Sequence, residues 1–232
     1  MPGRCLLYYV TDRTQFPGDE SARRHTLFAK IAEAARAGVD YVQLREKDLS
    51  TRELEALARE LVGQIATLRT ENRELRTRLL INSRTDISLT VGADGVHLRS
   101  DDVSPRDVRH LISRSGHWPL PTSHFLTAAS CHTPADVVRA ASEGADFTVF
   151  APVFEKKDRP GIPPAGLNSL REACKAKISV LALGGVTLEN AALCLEAGAA
   201  GVAGIRLFQE NRIEDVVRAL SRLGQVKSEK SN

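Results

Sequence analysis

Short apolar runs that stop at a polar residue or a glycine recur along the chain, and the stretches between them carry Ala and Leu at helical spacing. The runs predict strands at 5–11, 41–45, 79–82, 95–98, 125–129, 147–151, 180–183 and 201–205. Four of them open on one repeated phrase: Gly38-Val39-Asp40-Tyr41-Val42, Gly92-Ala93-Asp94-Gly95-Val96, Gly144-Ala145-Asp146-Phe147-Thr148 and Gly198-Ala199-Ala200-Gly201-Val202. Each is a helix-ending glycine followed by an apolar strand. The copies lie roughly fifty residues apart, too far for one helix–strand unit and right for two, so the repeat implies eight βα units. The expected fold is α/β, a single (β/α)8 TIM barrel, with its chemistry at the C-terminal ends of the strands.

Ser50-Thr51-Arg52-Glu53 is a capping-box pattern and predicts the start of the longest helix. Apolar positions Leu54, Leu57, Leu61, Ile65 and Leu68 carry that helix to around Leu75, with the charged stretch 69–78 read as a solvated extension.

The length of 232 residues suits one barrel, taken here as 1–225 with a polar tail at 226–232. A net charge of +3, spread along the chain, and 5% aromatic residues give no basic patch or stacking platform for nucleic acid. No apolar run reaches the length of a membrane span, and no secretory leader opens the chain, so a cytoplasmic protein is expected. Cys5, Cys131, Cys174 and Cys194 lack the paired spacing of a zinc or redox site and read as reduced, three of them as packing residues.

The candidate chemistry begins with Gln43-Leu44-Arg45-Glu46-Lys47. Residues two apart on a strand share a face, so Gln43, Arg45 and Lys47 form one polar column opposite Val42 and Leu44. The outer face of such a barrel is covered by helices, where an unpaired Arg is costly, so the column should point into the mouth and attract an anion. The alternative is a solvated rim in which Arg45 and Lys47 pair with Glu46 and other carboxylates. Leu183-Gly184-Gly185-Val186-Thr187 reads as a strand, a glycine turn and a helix capped by Thr187, and Gly204-Ile205-Arg206 ends the last strand. Loops after these two strands commonly receive a phosphate in this fold. Asp101 and Asp102, after the fourth strand, suit either Mg2+ bridging a diphosphate or the cap of a helix that begins near Ser104-Pro105.

At this level of detail the chain resembles the thiamine-phosphate synthase and thiazole tautomerase family across nearly all of 5–210. The matching phrases include Tyr9-Val10-Thr11-Asp12, Val42-Gln43-Leu44-Arg45-Glu46-Lys47, Ile81-Asn82, Gly92-Ala93-Asp94-Gly95-Val96-His97-Leu98, Ser130-Cys131-His132, Pro152-Val153-Phe154, Gly166-Leu167 and Leu183-Gly184-Gly185-Val186. The resemblance implies a synthase that joins a hydroxymethylpyrimidine diphosphate to a thiazole phosphate and releases pyrophosphate, with Mg2+ as cofactor. It implies that Gln43, Arg45, Lys47 and Asn82 hold the pyrimidine diphosphate, that Asp102 binds Mg2+, and that Ser130 hydrogen-bonds the diphosphate. Gly185, Ile205 and Arg206 would receive the thiazole phosphate.

Three departures stand out from the family pattern. Ser83 follows Asn82 where the family carries a second metal-binding Asp, Arg159 stands where it has a Lys, and Arg206 where it has a Ser. Arg159 and Arg206 keep or add positive charge at those positions. The tautomerase branch implies a different use of His132, as a metal-independent general acid/base on thiazole phosphate. A third reading, a non-catalytic protein that only binds a phosphorylated ligand, is compatible with the same pockets. Small phosphorylated pyrimidine and thiazole partners complete the expectation, with a second copy of the chain, in a homodimer, left open.

Overall fold

A computed structural model describes residues 4–115, 124–155 and 163–229. Its eight strands are β1 Leu6–Val10, β2 Tyr41–Leu44, β3 Arg78–Asn82, β4 Gly95–Leu98, β5 Leu126–Cys131, β6 Phe147–Phe150, β7 Ser179–Ala182 and β8 Gly201–Gly204. They pair in parallel and in sequence order, with β8 closing on β1 to make a barrel. Every strand expected from the apolar runs is present. β5 runs two residues further than the pattern suggests and so carries Ser130 and Cys131 on regular backbone.

The alternation of each strand sorts its residues into two cores. Val42, Leu44, Leu79 and Ile81 face outward against the helices, in the same cluster as Leu57, Leu61 and Ile65. Tyr8, Leu80, Ala128, Phe147, Val149, Leu181 and Ala203 fill the barrel interior. In its middle, the Tyr41 and Phe147 rings stack at 4.6 Å, and Tyr8 meets both edge-on at 5.8 and 5.5 Å. Full burial of one such ring contributes about 2–3 kcal/mol, so this layer is a solid floor and not a pore.

Among the described residues, the helices on the outside are α1 Glu20–Ala37, α2 Thr51–Glu71, α3 Thr85–Val91, α4 Pro105–Ser115, α5 Pro134–Ser142, α6 Gly166–Ala173, α7 Ala191–Glu196, α8 Arg206–Gln209 and α9 Ile213–Glu229. The Ser50/Glu53 capping box forms, with Leu54, Leu57, Leu61, Ile65 and Leu68 buried. α2 ends at Glu71, however, short of Leu75, and the charged stretch is solvated over 70–74 and at Arg76 but not at its two ends. Arg69 folds back to donate to the Thr77 carbonyl and to Asp94 Oδ2, and Arg78 opens β3. A buried carboxylate at the base of the barrel draws the arginines in, which a count of charges along the helix does not reveal. Thr187 does not cap a helix either. Its backbone N–H donates to Asn190 Oδ1 at 2.8 Å, and α7 begins only at Ala191.

The repeated phrase has a function that helix-to-strand grammar alone does not express. Asp40 Oδ2 accepts the Leu7 N–H at 2.9 Å, Asp94 Oδ2 that of Leu79 at 2.8 Å, and Asp146 Oδ2 that of Thr127 at 2.6 Å. Each carboxylate, placed just before an even-numbered strand, pins the start of the odd-numbered strand beside it. Arg4, Arg69 with Arg78, and Arg109 respectively supply the countercharge. The fourth copy has Ala200 at this position, and β7 and β8 register over two residue pairs where every other neighbouring pair has three or four.

Candidate active site

Above the aromatic floor, the inward positions at the C-terminal strand ends enclose a cavity of about 560 Å³. That size lies in the range of about 300–1,000 Å³ that small-molecule sites occupy. The same alternation that buries Leu80 and Ala128 below turns Gln43, Arg45, Asn82, His97, Ser130 and His132 into the cavity above. Lys47, Gly185, Ile205 and Arg206 also line it. The structure therefore brings together all but two of the residues singled out from the sequence. Asp102 lines a smaller neighbouring cavity of about 250 Å³, and Arg159 lies outside the described residues.

At the cavity mouth Arg45 is half-buried and Lys47 exposed. Glu46 is buried at 4% exposure on the opposite face of the strand end, where it accepts from the Arg13 backbone at 2.9 Å, from Arg13 Nη1 at 3.2 Å and from the Thr11 hydroxyl. Arg13 in turn forks onto Asp48 at 2.7 and 3.0 Å. With Glu46 engaged there, Arg45 and Lys47 remain on the cavity side. Beside them, Gln43 is 3% exposed and its amide nitrogen has no hydrogen-bond partner among the described residues. A buried donor left unpaired costs about 1–3 kcal/mol, a cost removed when a bound ligand presents an acceptor.

Opposite the column, Gly184 and Gly185 hold left-handed backbone at φ 94° and 66°. A β-carbon on Gly185 would stand 2.5 Å from the Glu155 carbonyl oxygen and 2.8 Å from Phe154 Cβ, so only glycine fits this turn. Asn190 fastens it by donating to the Gly185 carbonyl at 2.9 Å. Ile205 caps α8, and Arg206 is that helix's first residue, next to the glycine turn at the cavity wall.

Two histidines are held in defined states. His132 places Nδ1 2.7 Å from the Ala151 carbonyl oxygen, which can only accept, so Nδ1 carries a proton and Nε2 is the ring nitrogen left for other chemistry. His97, 4% exposed, lies between the Tyr8 hydroxyl at 3.0 Å from Nδ1 and Ser130 Oγ at 2.8 Å from Nε2. Burial, with the nearby Arg45 charge, pushes its pKa down to about 3, so it is neutral. Sequence reasoning assigned His97 no role, although its alternation with the outward-facing Val96 and Leu98 on β4 marks it as inward-facing.

Asp101 and Asp102 do not cap α4. Ser104 does, in a reciprocal pair with Asp107. Asp101 pairs with the Arg99 guanidinium at the surface. Asp102 accepts the Ser83 hydroxyl at 2.6 and 2.7 Å and the Arg99 N–H at 2.7 Å. Among the described residues, no three His, Cys, Asp or Glu side chains gather into a metal site. One carboxylate and one hydroxyl fit Mg2+ only when phosphate oxygens and waters complete its shell.

A closed barrel with cations, an unpaired amide and a glycine turn at its C-terminal mouth defines a barrel enzyme that handles phosphorylated ligands. Comparison with known proteins is specific. The family model for thiamine monophosphate synthase matches residues 7–208, and the chain belongs to that family. It is 36% identical to the putative thiamine-phosphate synthase 2 of Aquifex aeolicus over 88% of this chain and 97% of that protein. It is 35% identical to the thiamine-phosphate synthase of Methanoculleus marisnigri over 96% and 97%. The thiamine phosphate pyrophosphorylase of Pyrococcus furiosus superposes with a TM-score of 0.74 at 24% identity, covering 97% of this chain and 98% of that one, and shares the fold. No helix among the described residues is long and apolar enough to cross a membrane.

Proposed function

We propose that the protein is a thiamine-phosphate synthase. It joins hydroxymethylpyrimidine diphosphate to thiazole phosphate and releases pyrophosphate. The bond between the pyrimidine methylene and the diphosphate oxygen breaks, and its electron pair leaves with the pyrophosphate. The thiazole nitrogen lone pair then forms the new C–N bond. That nitrogen bears no proton, so no base is needed for the step.

The side chains supply charge and position. Arg45 and Lys47 stabilise the negative charge that grows on the departing pyrophosphate, Gln43 and Asn82 orient the pyrimidine diphosphate, and Ser130 donates to a diphosphate oxygen. The Gly185 turn with Ile205 and Arg206 receives the thiazole phosphate across the cavity, and Arg159 adds a cation. Mg2+, when bound, neutralises further charge on the pyrophosphate. Asp102 with Ser83 would be its side of the protein. A single barrel unit over 1–225, working in the cytoplasm, completes the reading.

The observation that carries this reading is the unpaired, buried Gln43 amide set beside Arg45 and Lys47. The test is to incubate the purified protein with both substrates and Mg2+ and look for thiamine phosphate. Absence of product at every Mg2+ concentration would reject it.

His132 supports a second reading. Its ring lines the cavity with Nδ1 tied to the Ala151 carbonyl, and the joining reaction has no use for the remaining nitrogen, Nε2. A metal-independent tautomerisation of thiazole phosphate would use it, and would persist in chelator and be lost in His132→Ala.

A further inference from the structure

We infer that Tyr8, His97 and Ser130 form a one-way chain of hydrogen bonds that fixes the Ser130 hydroxyl as a donor into the cavity, with Tyr8 and His97 as positioning residues. The inference deepens the synthase reading, because the acceptor at its end is taken to be an anionic phosphate oxygen.

The direction follows from proton counting. Tyr8 is fully buried in the aromatic floor, and its hydroxyl has one hydrogen-bond partner among the described residues, His97 Nδ1. A buried hydroxyl proton without an acceptor is costly, so Tyr8 donates and Nδ1 is the unprotonated nitrogen. The single proton of the neutral imidazole is then on Nε2 and points at Ser130 Oγ. Ser130 accepts it. Its own proton must therefore turn elsewhere, and the residue lines the cavity near the polar column. A serine in water rotates freely and can present either a lone pair or a proton. Here the floor of the barrel selects the proton, which an anion accepts and a cation does not. Burial keeps Tyr8 protonated, since its pKa is raised well above the ordinary value by desolvation.

Two measurements test this. In protein labelled with 15N-histidine, the His97 ring, assigned by its loss in His97→Gln, should show the Nε2–H tautomer without any ligand. An Nδ1–H tautomer would overturn the inference. Binding of inorganic pyrophosphate in Mg2+ buffer, by calorimetry, should weaken about tenfold in Ser130→Ala and in Tyr8→Phe, as expected for losing a hydrogen bond to a charged group. Tyr8→Phe keeps the ring and its edge-on contacts with Tyr41 and Phe147 and should fold normally. Because Tyr8 acts through Ser130, the double variant should bind no worse than Ser130→Ala alone, whereas a purely structural role predicts additive losses and would refute the relay. His97→Gln, whose amide can accept from Tyr8 and donate to Ser130 in the same order, should stay within about threefold of the native affinity. If pyrophosphate does not bind the native protein at all, the synthase reading falls, and the tautomer spectrum still decides the chain of bonds.

Discussion

Ser83 donates its hydroxyl proton to both carboxylate oxygens of Asp102, from a backbone held in the left-handed region at φ 65°. A non-glycine residue there costs about 1–2 kcal/mol, and the Ser83 N–H bond to the His97 carbonyl, at 2.8 Å, helps to hold it. The pair leaves one carboxylate for a divalent ion, and that carboxylate already holds the Arg99 amide.

The protein should accordingly bind the divalent ion only together with the diphosphate. Titration of Mn2+ followed by electron paramagnetic resonance should show weak binding alone and tight binding when pyrophosphate is present. Ser83→Asp, which tolerates the same backbone, should tighten Mn2+ binding alone and lower the Mg2+ needed for half-maximal rate. Asp102→Ala should raise it. Tight Mn2+ binding to the native protein without pyrophosphate would refute this account.

Arg45→Ala should lower kcat/KM at least about tenfold, equivalent to about 1.4 kcal/mol, by removing a charge-assisted contact to the diphosphate. Because Glu46 is engaged by Arg13 and Thr11, removal of Arg45 strands no partner at Glu46. Thermal unfolding should therefore change little while steady-state kinetics change greatly.

Gly185→Ala places a β-carbon against the Glu155 carbonyl in left-handed backbone. It should destabilise the protein by about 1–3 kcal/mol in denaturant unfolding and displace the turn. Equilibrium binding of thiazole phosphate should weaken more than that of pyrophosphate, since the turn lies across the cavity from the column.

The buried His97 takes up its proton only near pH 3, whereas in the unfolded chain an imidazole does so near about 6.5. Between those values the unfolded chain binds more protons, so stability rises with pH and falls on acidification below about 6.5, by at most about 1.4 kcal/mol per pH unit from this group. Denaturant unfolding at pH 7 and pH 5 should show a smaller loss in His97→Gln than in the native protein. Equal losses would mean that His97 is already charged in the folded state.

Much of this was legible in the chain because period and parity are local properties. A two-residue alternation turns Gln43, Arg45 and Asn82 inward, and a glycine phrase spaced by two βα units counts the strands. What was not legible depends on residues distant in sequence. The reach of Arg69 to Asp94 ends α2 early in the reading of charge, because the attracting carboxylate sits at another strand start. The role of His97 depends on Tyr8, 89 positions away, and no local pattern could pair them. Asp102 was placed with the diphosphate residues by resemblance, while its side chain lines the adjoining hollow, where Ser83 holds it.

The carboxylate clamps tie three of the barrel's eight strand-to-strand joints. Asp40, Asp94 and Asp146 secure β1–β2, β3–β4 and β5–β6, and Ala200 leaves β7–β8 to a short ladder of backbone bonds. The loops that follow this last pair carry the Gly184–Gly185 turn and Arg206. The cationic column therefore rises from a clamped pair of strands and the glycine turn from an unclamped one, so the two walls of the mouth are tied to the barrel by different means.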